Sequence, residues 1–337
     1  MDTIRLITTV DTHTAGEPTR IVTAGLPPLP GATMAEKRDY FEAHWDHLRR
    51  FLTQEPRGHS AMHVAVLTAP IRPEAAAAGL IMNSFGFLNM CGHGTLGIVT
   101  ALVELGLVPV TEPVTQLTFE TLGGLIPLQV EVAGRTVKNI TFRNLPAFAY
   151  RCDVELDVPG LERLTVDIVY GGLWYVAVEA AQVGLPLSSA HIDELLRLGG
   201  VIRDALNEQI EVVHPATGQR EPVNLTLFVG PPDNPFAHSK GLVTMGEHIF
   251  DRSPGGTGTS ARMVQLWAKG QLQLGQEFIH ESIIGTIFRG RLVEETVIGR
   301  QKAVIPEISG RAFITGLHQF VLTADDPLTE GFLVGGP

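Results

Sequence analysis

The chain is poor in the features that would place it in several large classes. Only two of its 337 residues are cysteine, Cys91 and Cys152, too few for a disulfide framework and in keeping with a reducing, cytoplasmic setting. Lysine and arginine number 25 against 36 aspartates and glutamates, and they form no basic run. With a net charge of −11 and a pI of about 5.5, the chain is a poor partner for nucleic acid or an anionic membrane. Long apolar runs are missing too: the most apolar stretch, Ala75 to Met82, falls far short of the ~20 residues a membrane span needs. The opening MDTIRLITTVDTHTAGEP lacks a basic start followed by an apolar core, so it does not read as a signal peptide. No long linker or low-complexity segment occurs. What is present is an ordinary globular composition, 44% hydrophobic and 18% charged, with length enough for two domains each holding its own core.

Apolar periodicity picks out the elements. Met34 to Leu52 carries Phe41, Trp45, Leu48 and Leu52 at helical spacings. Ser189 to Asn207 repeats the pattern through Ile192, Leu195, Leu196, Ile202 and Leu206, with Ser188 or Ser189 as the N-cap. Ile126 to Phe142 reads as a hairpin: Leu128, Val130 and Val132 alternate, Gly134 turns, and Val137, Ile140 and Phe142 return.

The most informative feature is an internal echo. Cys91-Gly92-His93-Gly94-Thr95 lies over Gly255-Gly256-Thr257-Gly258-Thr259, and each segment leads into an apolar helix that ends at a glycine, Gly106 or Gly270. A left-handed C-cap is expected at both. Matching helix starts in two halves suggest a pseudo-two-fold protein with a site between the halves.

A glycine-rich helix start leaves backbone N–H groups unpaired at the positive end of the macrodipole, where an anion binds. Two such starts could grip one carboxylate. Cys91 stands just before the first turn, where its thiol pKa is expected to fall. A thiolate beside a held carboxylate is placed to take the proton from the adjacent carbon, while the N–H groups stabilise the enolate charge that develops.

Several features carry less. Gly92-x-Gly94-x-x-Gly97 fits a dinucleotide fingerprint, but the strand that motif requires immediately before its glycines is not apparent. His44 and His47 share an amphipathic helix with no third ligand nearby and read as surface residues. Cys152 sits in no motif and reads as inert. His13, His59 and His63 are open between core and functional roles.

Met90-Cys91-Gly92-His93-Gly94 and Asp251-Arg252-Ser253-Pro254-Gly255-Gly256-Thr257-Gly258 closely resemble the two signature segments of the proline racemase family. So do Asp11 to Pro18, Arg57-Gly58-His59 and Phe278 to Thr286, so the resemblance spans nearly the whole chain. That family includes 4-hydroxyproline 2-epimerases and trans-3-hydroxy-L-proline dehydratases. The resemblance implies an α+β fold similar to diaminopimelate epimerase, with two pseudo-symmetric β-barrel-like halves each wrapped around a central helix, and no metal or cofactor. The first half would comprise residues 1–125 and about 312–337 with the Cys91 helix. The second would run from about 126 to 311 with the Asp251/Gly256 helix start. Cys91 matches the family's first catalytic cysteine. Gly92 with His93, and Gly256 with Thr257, match the residues whose amides hold the substrate carboxylate, and Asp251 matches the acid that meets the ring nitrogen, which His93 could also reach. The partner implied is a small proline analogue, and a homodimer is left open.

The departure is Gly255. Racemases and epimerases of the family carry a second cysteine there, and the dehydratases usually a threonine. Inversion needs an acid on the face opposite the base, and glycine offers no side chain. In trans-3-hydroxy-L-proline the hydroxyl lies on the same face as the α-hydrogen, so one group can take the proton and return it to the departing hydroxide. The expectation is therefore cofactor-independent dehydration to Δ1-pyrroline-2-carboxylate with Cys91 as the base. A 4-hydroxyproline 2-epimerase or proline racemase-like isomerase, with water as the second acid, is the alternative, and a catalytically silent binder of proline analogues is a third reading.

Overall fold

The structure, a computed structural model, describes residues 3–246 and 249–334. In chain order its elements are β1 (Thr3–Thr14), β2 (Glu17–Ala24), α1 (Met34–Thr53), β3 (His63–Thr68), β4 (Ala77–Asn83), β5 (Gly86–Leu88), α2 (Gly92–Glu104), β6 (Val114–Thr121), β7 (Gly124–Ala133) and β8 (Thr136–Arg143). There follow β9 (Phe148–Leu156), β10 (Leu164–Tyr170), β11 (Trp174–Glu179), α3 (Ile192–Gln209), β12 (Leu225–Gly230), β13 (Ser239–Met245) and β14 (Ile249–Phe250). The last are α4 (Gly256–Ala268), β15 (Phe278–Ser282), β16 (Ile287–Ile298), β17 (Gln301–Gly310) and β18 (Ala312–Thr323).

The chain divides into two compact units, residues 3–142 with 310–334 and residues 143–309. In the first, β18 pairs antiparallel with β1 and β1 with β2. A parallel β2–β3 pair follows, with α1 between the strands in sequence, then antiparallel β3–β4 and β4–β5. A parallel β4–β6 pair flanks α2, and antiparallel β6–β7 and β7–β8 complete the unit. The second unit repeats this strand for strand. Antiparallel β9–β10 and β10–β11 come first, then parallel β11–β12 around α3 and antiparallel β12–β13 and β13–β14. Parallel β13–β15 flanks α4, with antiparallel β15–β16 and β16–β17 after it. The internal echo is thus the visible part of a complete duplication, in which the first unit's outer strand is supplied by the end of the chain.

In each unit one helix, α1 or α3, connects two parallel strands and packs by an apolar stripe, and the other, α2 or α4, begins at a buried glycine. The stripe of α1 buries Phe41, Leu48, Phe51 and Leu52 against Val64 and Val66 of β3 and Leu80 and Met82 of β4. Leu195, Leu198, Ile202 and Leu206 of α3 pack likewise on Val176, Phe228 and Leu242. Helix α2 is buried from Gly92 through Val103, as expected of a central helix with no polar face. Among the described residues no helix is long and apolar enough to cross a membrane.

The boundaries differ from the sequence reading in two places. The expected helix from Ser189 begins at Ile192, because Ser188 and Ser189 open a short 3₁₀ turn, Ser189–His191, that precedes α3. The Ser188 hydroxyl meets His191 Nδ1 at 2.8 Å there instead of capping the helix. The hairpin 126–142, expected at the head of the second half, belongs to the first unit, because β7 pairs along the length of β6. Its turn has Gly134 and Arg135 both at positive φ, 58° and 65°, which matches the twist of a two-residue hairpin. The expected end of the first half at 337 takes in 335–337, which lie outside the described residues.

Candidate active site

In the first unit the chain leaves β5 and reaches Cys91 in an extended conformation, φ −141° and ψ 114°, as the N-cap of α2. Its Sγ accepts the Gly94 N–H at 3.4 Å, so sulfur fills the role oxygen has in an ordinary cap. Glycine suits position 94, since a Cβ there would stand only 3.1 Å from that sulfur, a tight contact. No acidic residue occupies the first turn, leaving the Gly92 and His93 N–H groups and the macrodipole directed at the cap. Negative charge on Cys91 is favoured by this setting.

The neighbouring side chains come from four elements, α2, β1, β2 and β3. Cys91 Sγ lies 3.4 Å from His93 Nδ1 and 3.5 Å from Nε2, both residues being buried. Near-equal separations put the sulfur towards the ring face and not on the axis of one nitrogen lone pair. Burial lowers the His93 pKa to about 3, so the imidazole is neutral and is no cationic partner for a thiolate. Thr14 Oγ1 donates to the His93 carbonyl at 2.7 Å and ties the end of β1 to the helix start. His63, the first residue of β3, stands edge-on to His93 with ring centroids 4.4 Å apart. Its Nδ1 is 3.1 Å from the Ala61 carbonyl and 3.6 Å from the buried Glu17 carboxylate. Sequence reasoning left His63 open and did not select Glu17; the parallel β2–β3 pairing brings their two strands together.

In the second unit the loop before α4 is organised by Asp251. Its Oδ1 accepts from the Ser253 N–H at 2.8 Å and the Ser253 hydroxyl at 2.7 Å, and the Ser253 Oγ accepts from the Gly255 N–H at 3.1 Å. Gly255 is the N-cap, at φ +73° and ψ 126°, with no side-chain cap. A Cβ built on Gly255 would lie 3.3 Å from Asp251 Oδ2 and 3.5 Å from the Gly258 nitrogen. Gly256 begins the helix and is buried, and the Thr257 hydroxyl shares a 2.6 Å hydrogen bond with that of Tyr175. The two helices thus start alike in sequence but differ at the cap: a side-chain-capped extended cysteine in one, a left-handed glycine in the other. Both end as expected, with Gly106 at φ +70° and Gly270 at φ +71°.

The remaining candidates separate from these starts. His44 is exposed and rests on Tyr40, and burial lowers the pKa of half-buried His47. His13 stacks on Phe313, and His59 is exposed. Cys152 is half-buried, its thiol pKa pushed up by burial and by the Asp167 charge. Among the described residues, the one group of three metal-capable side chains close enough to share an ion is His63, Cys91 and His93.

A duplicated α+β unit, with a thiol at one central helix start and glycines at both, defines an enzyme-like frame built by internal repetition. The chain belongs to the proline racemase family: the family description "Proline racemase" matches residues 9–333. It is 46% identical to the 4-hydroxyproline 2-epimerase of Streptosporangium roseum, over 99% of this chain and 100% of that protein. It is 43% identical to the proline racemase of Clostridioides difficile and 38% identical to the trans-3-hydroxy-L-proline dehydratase of Burkholderia ambifaria, in each case over 98% of both chains. The crystal structure of a hydroxyproline epimerase from Agrobacterium vitis with bound trans-4-hydroxy-L-proline is similar over 99% of this chain and 97% of that one, with 31% identity and a TM-score of 0.88.

Proposed function

We propose that the chain dehydrates trans-3-hydroxy-L-proline to Δ1-pyrroline-2-carboxylate, with Cys91 as the single acid–base group. The observation that carries this reading is Gly255, which offers no proton at the position equivalent to Cys91 and whose backbone is wound in a glycine-type conformation. Cys91 thiolate takes the α-proton. The C3–O bond breaks, and the thiol returns its proton to the departing hydroxide, releasing water on the same face. The enamine left behind tautomerises to the imine. In this proposal the amides of Gly92, His93, Gly256 and Thr257 hold the substrate carboxylate, and Asp251 meets the cationic ring nitrogen through a charge-assisted hydrogen bond. Neutral His93 contributes hydrogen bonding without charge.

A second reading is an isomerase of 4-hydroxyproline or proline, favoured by the activities named for the relatives at 46% and 43% identity. It needs a second acid, such as a water above Gly255. Incubation with proline and the hydroxyproline isomers separates the two readings when imine formation is scored apart from optical rotation. Dehydration predicts imine from the trans-3 isomer alone, abolished in Cys91→Ser. Loss of optical rotation without imine would replace it with the isomerase.

A further inference from the structure

The cluster around Cys91 has a composition that proton transfer alone does not require. His63, Cys91 and His93 each offer one ligand atom, and the three atoms lie within 4.8 Å of one another. All three side chains are more than nine-tenths buried, at 4%, 7% and 5% exposure. One thiolate and two imidazoles form a donor set that suits zinc, with Zn–S near ~2.3 Å and Zn–N near ~2.0–2.1 Å. In a tetrahedron those bond lengths put sulfur and nitrogen about 3.5 Å apart, and Cys91 Sγ already stands 3.4 and 3.5 Å from the His93 ring nitrogens. A turn of the His93 ring about its Cβ–Cγ bond is needed to aim one nitrogen inward.

The surroundings of His63 point the same way. Only a nitrogen bearing hydrogen can satisfy the oxygens beside its Nδ1, the Ala61 carbonyl at 3.1 Å and the Glu17 carboxylate at 3.6 Å. With the proton on Nδ1, Nε2 is the nitrogen through which His63 would ligate a metal. Carbonyl and carboxylate partners on the far nitrogen are the arrangement that orients histidine ligands in metal sites and raises their basicity. Three protein ligands leave a fourth position open to water or a substrate carboxylate.

We propose that His63, Cys91 and His93 form a binding site for Zn2+, which occupies the Cys91 sulfur and reversibly silences it. Binding exchanges the thiol proton for the metal and involves no electron transfer, so the protein returns to its active form when a chelator removes the ion. The silencing rests on the proposed role of Cys91 as the base; the binding does not.

Co2+, which takes the same tetrahedral ligands and absorbs visibly, is the probe. Titrating the full-length protein with Co2+ should give one equivalent of tetrahedral d–d bands, with a thiolate-to-cobalt charge-transfer band in the near ultraviolet. Zn2+ should abolish both, and both should be absent in Cys91→Ser and retained in Cys152→Ser. His63→Gln, checked for native circular dichroism, should lose the tetrahedral spectrum as well. Turnover should fall as Zn2+ occupancy rises and return with EDTA. No thiolate–cobalt band in the unaltered protein, or a band that survives Cys91→Ser, overturns the site. A Cys91-dependent band without loss of turnover supports the site and overturns the role of Cys91 as base.

Discussion

Gly255 is the residue on which the account turns, and its backbone adds a consequence that its identity does not convey. At φ +73° it occupies the left-handed region, whereas Cys91 at the matching position is extended at φ −141°. Any side chain at 255 therefore meets backbone strain, and its Cβ also makes a tight contact, 3.3 Å from Asp251 Oδ2, which must give by a few tenths of an ångström. Gly255→Ala should cost ~1–3 kcal/mol of unfolding free energy, the penalty for an L-residue held in a sparsely populated φ/ψ region, read from urea titration. A stability equal to the unaltered protein would show that the cap relaxes to the extended form. Restoring a thiol by Gly255→Cys faces the same strain, so it tests the chemistry less cleanly than the helix echo suggests.

At the scale of elements, the two central helices solve one packing problem in opposite ways. On α2 the close approach is made by Gly97, where a Cβ would come 2.4 Å from Thr12 Oγ1 on β1. Its counterpart on α4 is Ala261, and there the glycine lies on the facing segment: a Cβ on Gly171 would come 3.0 Å from that of Ala261 and 2.2 Å from the Thr257 carbonyl. Gly97→Ala should push α2 off β1 at a cost of ~1–3 kcal/mol, the usual range for overpacking. Adding Thr12→Ala should recover most of it. Urea unfolding of the single and double variants decides, and no loss in the single variant would mean the helix can shift freely. The helices themselves were legible where apolar spacing is regular, as in α1, and where glycine marks an end, as at Gly106 and Gly270. The start of α3 was not, because a serine opens a 3₁₀ turn as readily as a helix. Nor was the conformation of Gly255, since glycine places no restriction on φ that a reader of sequence could use. His63 was left open for another reason: the parallel pairing of β2 and β3 brings it beside the strand of Glu17, and periodicity says nothing of strand partners.

For the whole molecule, each unit holds a buried neutral histidine at or near its central helix, though not at matching positions: in the first it is His93, at the start of α2. In the second unit this is His280 on β15, fully buried, its Nδ1 3.0 Å from Thr259 Oγ1. Burial, with the Arg262 charge adding to it, lowers its pKa from 6.5 to about 3. An unfolded histidine takes up a proton near pH 6.5, so between that value and about 3 the unfolded chain binds more protons. The stability held by a neutral His280 is thus fully present above pH 6.5 and is lost as the pH falls through that window. Between pH 7 and pH 5 the unaltered protein should lose about 2 kcal/mol more unfolding free energy than His280→Asn. Equal losses would mean that the site is hydrated or already charged. The two-unit frame was legible from the echo of helix starts and from the family resemblance. The strand-for-strand repeat was not, because the paired strands share almost no sequence.

The central claim is that one base acts on one face. Its most direct measurement is proton NMR of trans-4-hydroxy-L-proline incubated with the unaltered protein in D2O. With Cys91 alone, the substrate should either stay inert or exchange its α-hydrogen for deuterium with retention at C2. Efficient formation of the C2 epimer carrying solvent deuterium would contradict the account, because a second acid must then stand opposite Cys91.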